Sequence, residues 1–174
     1  MDFIVNKLVM GYILSQKEMT FFRSEMGMKF NSFPEFLKSF EKITPMTNFE
    51  IIEKCKELKI KNFKGVFMRD KLKRKLSKNK CLILNLDEDS GSGTHWTCLF
   101  IKNNVVYYFD SFGFEPPLEI EKYCFGNDIN FNSFPIQMND EVICGQYSIY
   151  VLYKLSNGFD FLDILCELYK FNHK

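Results

Sequence analysis

At 174 residues, 46 % of them hydrophobic, the chain is expected to be one domain able to bury a proper core. A formal net charge of +1 gives no global attraction to nucleic acid or to an anionic membrane. Six cysteines without a C-x-x-C pair, and a single interior histidine, argue against a structural zinc and for no metal. Asp2, Asn6 and Lys7 interrupt the first apolar stretch, which predicts neither a signal peptide nor a membrane span, and hence a reducing, non-secreted setting.

Residues 1–46 read as a helical N-terminal lobe of the single domain, with 47–174 as its core. Phe3, Ile4, Leu8, Val9, Tyr12 and Ile13 recur at helical spacing, Ser15 and Glu18 suit a capping box, and Phe33 to Phe40 suits a short helix. Thr47-Asn-Phe-Glu50 is a second capping box, opening a helix with Ile51, Ile52, Cys55 and Leu58 on one face. Arg69 to Lys80 then carries seven basic residues against one acid. Lys71, Lys73, Arg74 and Lys75 there suit a DNA backbone or an acidic partner, but without interleaved aromatics the stretch reads more readily as a solvated face.

Cys81 to Leu86 is a short continuous apolar run, the pattern of a buried strand. Asp87 to Gly93 is a polar loop whose glycines keep the ground beside His95 low, without the helix and Lys-Ser/Thr of a phosphate loop. His95 to Lys102 and Val105 to Asp110 flank Asn103-Asn104, a two-residue loop suited to a type I′ turn. In that register Ile101 faces Val106, Leu99 faces Tyr108, and Thr97 faces Asp110. Side chains alternate faces, so His95 and Asp110 become diagonal neighbours, with β-carbons roughly 7–8 Å apart.

Pro116-Pro117 precedes a helix over Leu118 to Tyr123, and Asn130 to Gln137 reads as a strand. The run after Cys144-Gly145, through Leu155 to Asn157-Gly158, predicts a helix apolar nearly all round and therefore buried. Asp160 opens a last amphipathic helix.

These placements put Cys144 at the N-terminus of a buried helix, where the macrodipole and a neighbouring imidazole favour a thiolate. His95 suits the general base and acid, and Asp110 suits the carboxylate that orients it. Gln137, seven residues before Cys144, suits an oxyanion donor together with the Cys144 backbone N–H. Gly145 is expected to leave room for a substrate backbone. Each residue alone reads more readily as structural; a small buried thiol or a turn-capping Asp is commonplace. The four together point to acyl transfer by a cysteine nucleophile.

Gly-Thr-His95-Trp96, Tyr-Phe-Asp110-Ser-Phe-Gly-Phe114 and Gln137-x6-Cys144-Gly145 resemble the adenain-type cysteine proteases of the Ulp clan. With Thr47 to Glu50 and Asn62 to Asp70, they are most similar to the capsid-maturation proteases of Maverick/Polinton elements and virophages. The resemblance spans Thr47 to Asp163. It implies an α+β, papain-like fold, a central mixed sheet flanked by helices with the nucleophile at a buried helix N-terminus. It implies catalytic His95, Asp110 and Cys144, an oxyanion hole of Gln137 and Cys144, and a cleft at Trp96, Gly93 and Gly145. It further implies capsid or virion precursors as substrates, cut at small residues such as glycine, in the virion or infected cell. The sequence requires no cofactor, but the family brings a viral peptide, for which Cys124 is one candidate anchor, and DNA as activators. A ubiquitin-like-modifier protease of the same clan, or a non-catalytic capsid- or DNA-binding module, are the alternatives.

Overall fold

The computed structural model describes residues 29–72 and 79–173. The chain divides into two compact units, 1–31 and 32–174. Of the first unit only residues 29–31 are described, so the helices expected over Phe3 to Phe22 lie outside the described residues, as do Lys73, Arg74 and Lys75.

The second unit is built on a five-stranded mixed sheet in the order β1–β5: Phe63–Met68, Lys80–Asn85, Trp96–Lys102, Val105–Phe109 and Ile129–Phe131. The central pairs β2–β3 and β3–β4 are antiparallel, and the outer pairs β1–β2 and β4–β5 are parallel. Five α-helices accompany it in the described residues: α1 (Phe33–Leu37), α2 (Asn48–Glu57), α3 (Leu118–Tyr123), α4 (Cys144–Ser156) and α5 (Phe161–Asn172). This is the α+β arrangement that the motifs imply.

The hairpin follows its turn residues. Asn103 and Asn104 take φ of 51° and 66°, the left-handed pair that a type I′ turn demands and asparagine tolerates. The resulting register pairs Ile101 with Val106 and Leu99 with Tyr108. One face of the sheet buries Leu82, Leu84, Leu99, Ile101, Val106 and Tyr108 against Ile120 of α3 and Cys124 just beyond it. Helix α4 packs along β3 and contributes nothing to that cluster, so it covers the opposite face. With both faces covered, the interior of β3 is buried throughout, which is why it reads as an unbroken apolar run.

Helix α4 is the structural axis. Every residue from Gly145 to Leu155 is buried, Lys154 included. That lysine ion-pairs with Glu167 of α5 at 3.0 Å. Glu167 also accepts from the Tyr150 hydroxyl and from the Phe33 backbone N–H at 3.2 Å. Helix α1 has five residues, too few to persist on propensity alone. Ser32 caps it, and Phe33 and Phe36, both fully buried, fasten it. Each such side chain contributes about 1.5–3 kcal/mol. Phe33 stacks on Tyr147 with ring centroids 4.5 Å apart, edge-on to Phe171 at 5.3 Å.

The capping box at α2 forms as its sequence predicts, with Thr47 and Glu50 exchanging bonds between side chain and backbone. The strand expected over Asn130 to Gln137 does not: pairing covers Ile129–Phe131 alone. Beyond it the chain leaves the sheet because the Asn132 side chain binds backbone, donating to the carbonyls of Asp110 at 2.6 Å and Phe134 at 3.1 Å.

Candidate active site

The site assembles at one end of the hairpin. His95 precedes β3 and Asp110 follows β4, and the register makes them diagonal neighbours. His95 Nε2 lies 3.0 Å from Asp110 Oδ1. The same oxygen accepts the Phe112 N–H at 2.7 Å, and Asp110 is fully buried. Phe112 lies over the imidazole with centroids 4.8 Å apart, which fixes the ring plane.

Cys144 is the first residue of α4, preceded by Ile143, which makes no side-chain cap bond. No acid occupies the first turn. The N–H groups there have no intrahelical acceptor, so the positive end of the helix is open at the thiol. Burial pulls the His95 imidazole down, but hydrogen bonds to Asp110 and Cys144, and the charges of both, outweigh it and push it up to about 9. With Nε2 bonded to Asp110, Nδ1 is the nitrogen left for the sulfur. Of the six cysteines, Cys55, Cys81, Cys98 and Cys124 are buried. Burial pushes the Cys55 thiol above its ordinary range and the Cys81 and Cys124 thiols up to about 12 and about 11. A disulfide from Cys124 to an outside peptide would need that thiol to leave the core.

Gln137 sits on the loop between β5 and α4, buried to 3 % exposure. Its Oε1 accepts from Ser111 Oγ at 2.8 Å, and its Nε2 donates to the Glu141 carbonyl at 2.6 Å. Glu141 is three residues before Cys144, so this bond ties the amide to the loop that leads into α4. The amide nitrogen carries a second hydrogen beyond the one given to Glu141. Asn172 of α5 steadies this loop, donating to the Ile136 carbonyl at 2.6 Å and to Glu141 Oε2 at 3.2 Å.

A cleft of about 690 Å³ opens at the thiol, lined by Cys144, Trp96, Met46, Gly93, Thr94 and Lys71 among others. Trp96 and Gly93 both line this cleft beside Cys144. Gly93 has φ +88° and a Cβ there would meet Asn85 Nδ2 at 3.2 Å, so the loop closes only with glycine. Gly145 is a correction. It is buried, and a Cβ on it would meet Met46 Cβ at 3.2 Å and Trp96 Cδ1 at 3.4 Å. The room it leaves is filled by protein, not left for a substrate backbone. Lys71 lies at the cleft but pairs with Asp89 at 3.0 Å, which offsets its charge toward a phosphate.

Several residues that the motifs did not single out complete the site. Met46 packs on Gly145 and gives its carbonyl to Trp96 Nε1 at 2.8 Å. Gln146 Nε2 holds the neighbouring Thr44 carbonyl at 2.8 Å. Asn132 Oδ1 accepts the Asp110 N–H at 3.2 Å while its Nδ2 binds the Asp110 carbonyl. The sequence signal for these is faint, since the partners they engage lie far away in the chain.

No protein-family model matches the chain, and no curated protein matches it in sequence. Eight solved chains do match its structure. One is the crystal structure of the selenomethionine form of the ASFV pS273R protease, with a TM-score of 0.50 and 15 % identity. The match covers 98 % of this chain and 85 % of that one. The chain has the fold of that protease. At this identity the likeness concerns architecture, and chemistry has to be read from the site itself.

Proposed function

We propose that the chain is a viral-type cysteine endopeptidase that cuts capsid and virion precursor proteins through a thioester acyl-enzyme. The observation that carries this reading is the buried Asp110 bonded to His95, with Cys144 on the other side of the imidazole at an open helix N-terminus. The fold of a viral protease and the adenain-like spacing of the four groups favour the viral setting.

In this mechanism the Cys144 sulfur attacks the scissile carbonyl carbon, and the carbonyl π pair moves to oxygen. The Cys144 N–H and the free Gln137 amide hydrogen receive that oxyanion. His95, held protonated at neutral pH, gives its proton to the departing amine as the C–N bond breaks. Water then attacks the thioester, His95 takes its proton, and the thiolate leaves. Asp110 stabilises the imidazolium and fixes its ring throughout. Trp96 and Met46 narrow the cleft, which suits small residues such as glycine at the cut. Such an enzyme works in the virion or the infected cell.

The test is cleavage of a capsid precursor, or of a fluorogenic peptide ending in Gly-Gly, by wild type and by Cys144→Ala. Turnover should vanish while the melting temperature holds. Full turnover by Cys144→Ala would end this reading. Capture of Cys144 by a ubiquitin- or SUMO-derived vinyl sulfone would instead favour a modifier protease.

A further inference from the structure

Ser111 occupies the junction between the two halves of the site. It follows Asp110 directly, is fully buried, and its carbonyl accepts the N–H groups of both Ile136 and Gln137 at 2.8 Å. Its hydroxyl donates to Gln137 Oε1, also at 2.8 Å. The Glu141 carbonyl holds the opposite side of the same amide. One contact fixes one hydrogen but leaves the amide plane free to turn about it. Two contacts, on the oxygen and on the nitrogen, define the plane.

From this geometry we infer that Ser111 is a positioning residue for the oxyanion donor. Its hydroxyl keeps the Gln137 oxygen turned away from the scissile carbonyl and the remaining N–H turned toward it. Reversal would bring Oε1 against the Glu141 carbonyl, acceptor on acceptor, and would present oxygen to the developing oxyanion. Loss of the hydroxyl leaves Oε1 without its donor at a site where water hardly reaches, so the amide turns to find another. The inference rests on the peptidase reading and adds to it the device that aims Gln137.

Removing an oxyanion donor outright costs about 10²–10³ in kcat. Misaiming it costs less, so Ser111→Ala should lower kcat about tenfold with KM within about twofold. A peptide aldehyde, whose adduct carries the tetrahedral oxygen, should weaken in step with kcat. In a Gln137→Ala background, Ser111→Ala should cost nothing further. The side-chain amide of Gln137 gives a readout independent of turnover: in ¹⁵N-edited NMR its two protons should shift and exchange faster in Ser111→Ala. A kcat within twofold of wild type, the same loss without Gln137, or an unmoved amide signal would each overturn the role of Ser111. Turnover that survives Cys144→Ala would instead overturn the peptidase reading, while the amide signal still decides whether Ser111 holds Gln137.

Discussion

Asp110→Asn isolates the charge that holds His95 protonated. The side chain is fully buried and its two oxygens are unequal: Oδ1 accepts from His95 and Phe112, while Oδ2 has no hydrogen-bond partner among the described residues. An asparagine can keep its oxygen at the first position and place the amide nitrogen at the second, so the ring stays where it is. The buried amide then lacks an acceptor, at a cost of about 1–3 kcal/mol in stability. What changes most is the imidazole. Burial is the largest single influence on it and pulls downward, and without the two contributions of Asp110 only Cys144 opposes that pull. From about 9 the imidazole should fall back toward its ordinary 6.5. At pH 7 the protonated share then drops from about 99 % to about a quarter. The weaker neutral hydrogen bond also orients the ring less firmly, so kcat/KM should fall by about 10²-fold or more. The assay is a pH–rate profile of peptide cleavage. The wild-type basic limb should lie near pH 9, and the variant limb should sit more than one pH unit lower. A variant limb still near pH 9 would refute the assignment of Asp110 as the group that charges His95.

Three more outcomes follow from the same geometry. Asn132→Ala leaves the Asp110 N–H unbonded in the interior, while the Asp110 carbonyl keeps the Gly113 N–H at 3.0 Å, so it should cost about 1–3 kcal/mol in urea denaturation and lower kcat through a looser Asp110. Gly113 has φ +76° and a Cβ there would run into the Phe134 backbone, which cannot swing aside as a side chain would. Gly113→Ala should therefore cost more than about 3 kcal/mol, read by thermal melting, with activity lost in proportion to misfolded protein. Folding raises the His95 pKa, so its stabilisation is complete below the unfolded value near 6.5 and is lost as pH rises through about 9. The melting temperature should fall between pH 7 and 9 in wild type and much less in Asp110→Asn.

Two kinds of signal made the base half of the site legible in sequence. Asn103-Asn104 names its turn, the turn sets the register, and the register brings His95 to Asp110 with no other information needed. Thr47 and Asp160 likewise announce their helices through local side-chain bonds. The nucleophile half was legible as residue types and spacing, but not as a conformation. The segment from Asn132 to Ile143 is shaped by bonds to Asp110, Ser111 and Asn172, distant in sequence. An apolar-polar alternation there suggests a strand and has no means of announcing such partners. Gly145 misleads for the same reason. A glycine beside a nucleophile suggests space for a ligand, while Met46, about a hundred residues earlier, fills that space. Long-range side-chain contacts to backbone leave no period and no local motif.

The architecture also explains why the two halves must meet at a fixed distance. The hairpin and α4 lie on different layers, so sheet pairing alone does not relate His95 to Cys144. Three contacts do. Ser148 of α4 donates to the Trp96 carbonyl at 3.2 Å, locking the helix against the first residue of β3. Gly145 lets Trp96 and Met46 close on the first turn of α4, with Trp96 Nε1 bonded to the Met46 carbonyl. Ser111 ties the end of β4 to the Gln137 loop. Each contact engages a residue adjacent to one of the three proposed catalytic groups: Trp96 beside His95, Gly145 beside Cys144, Ser111 beside Asp110. A displacement of α4 along the sheet therefore cannot move the thiol without breaking a bond one residue from the imidazole or the carboxylate. Holding reacting groups to within a fraction of an ångström requires this kind of adjacent bracing, because a contact several residues away would let the intervening backbone absorb the shift.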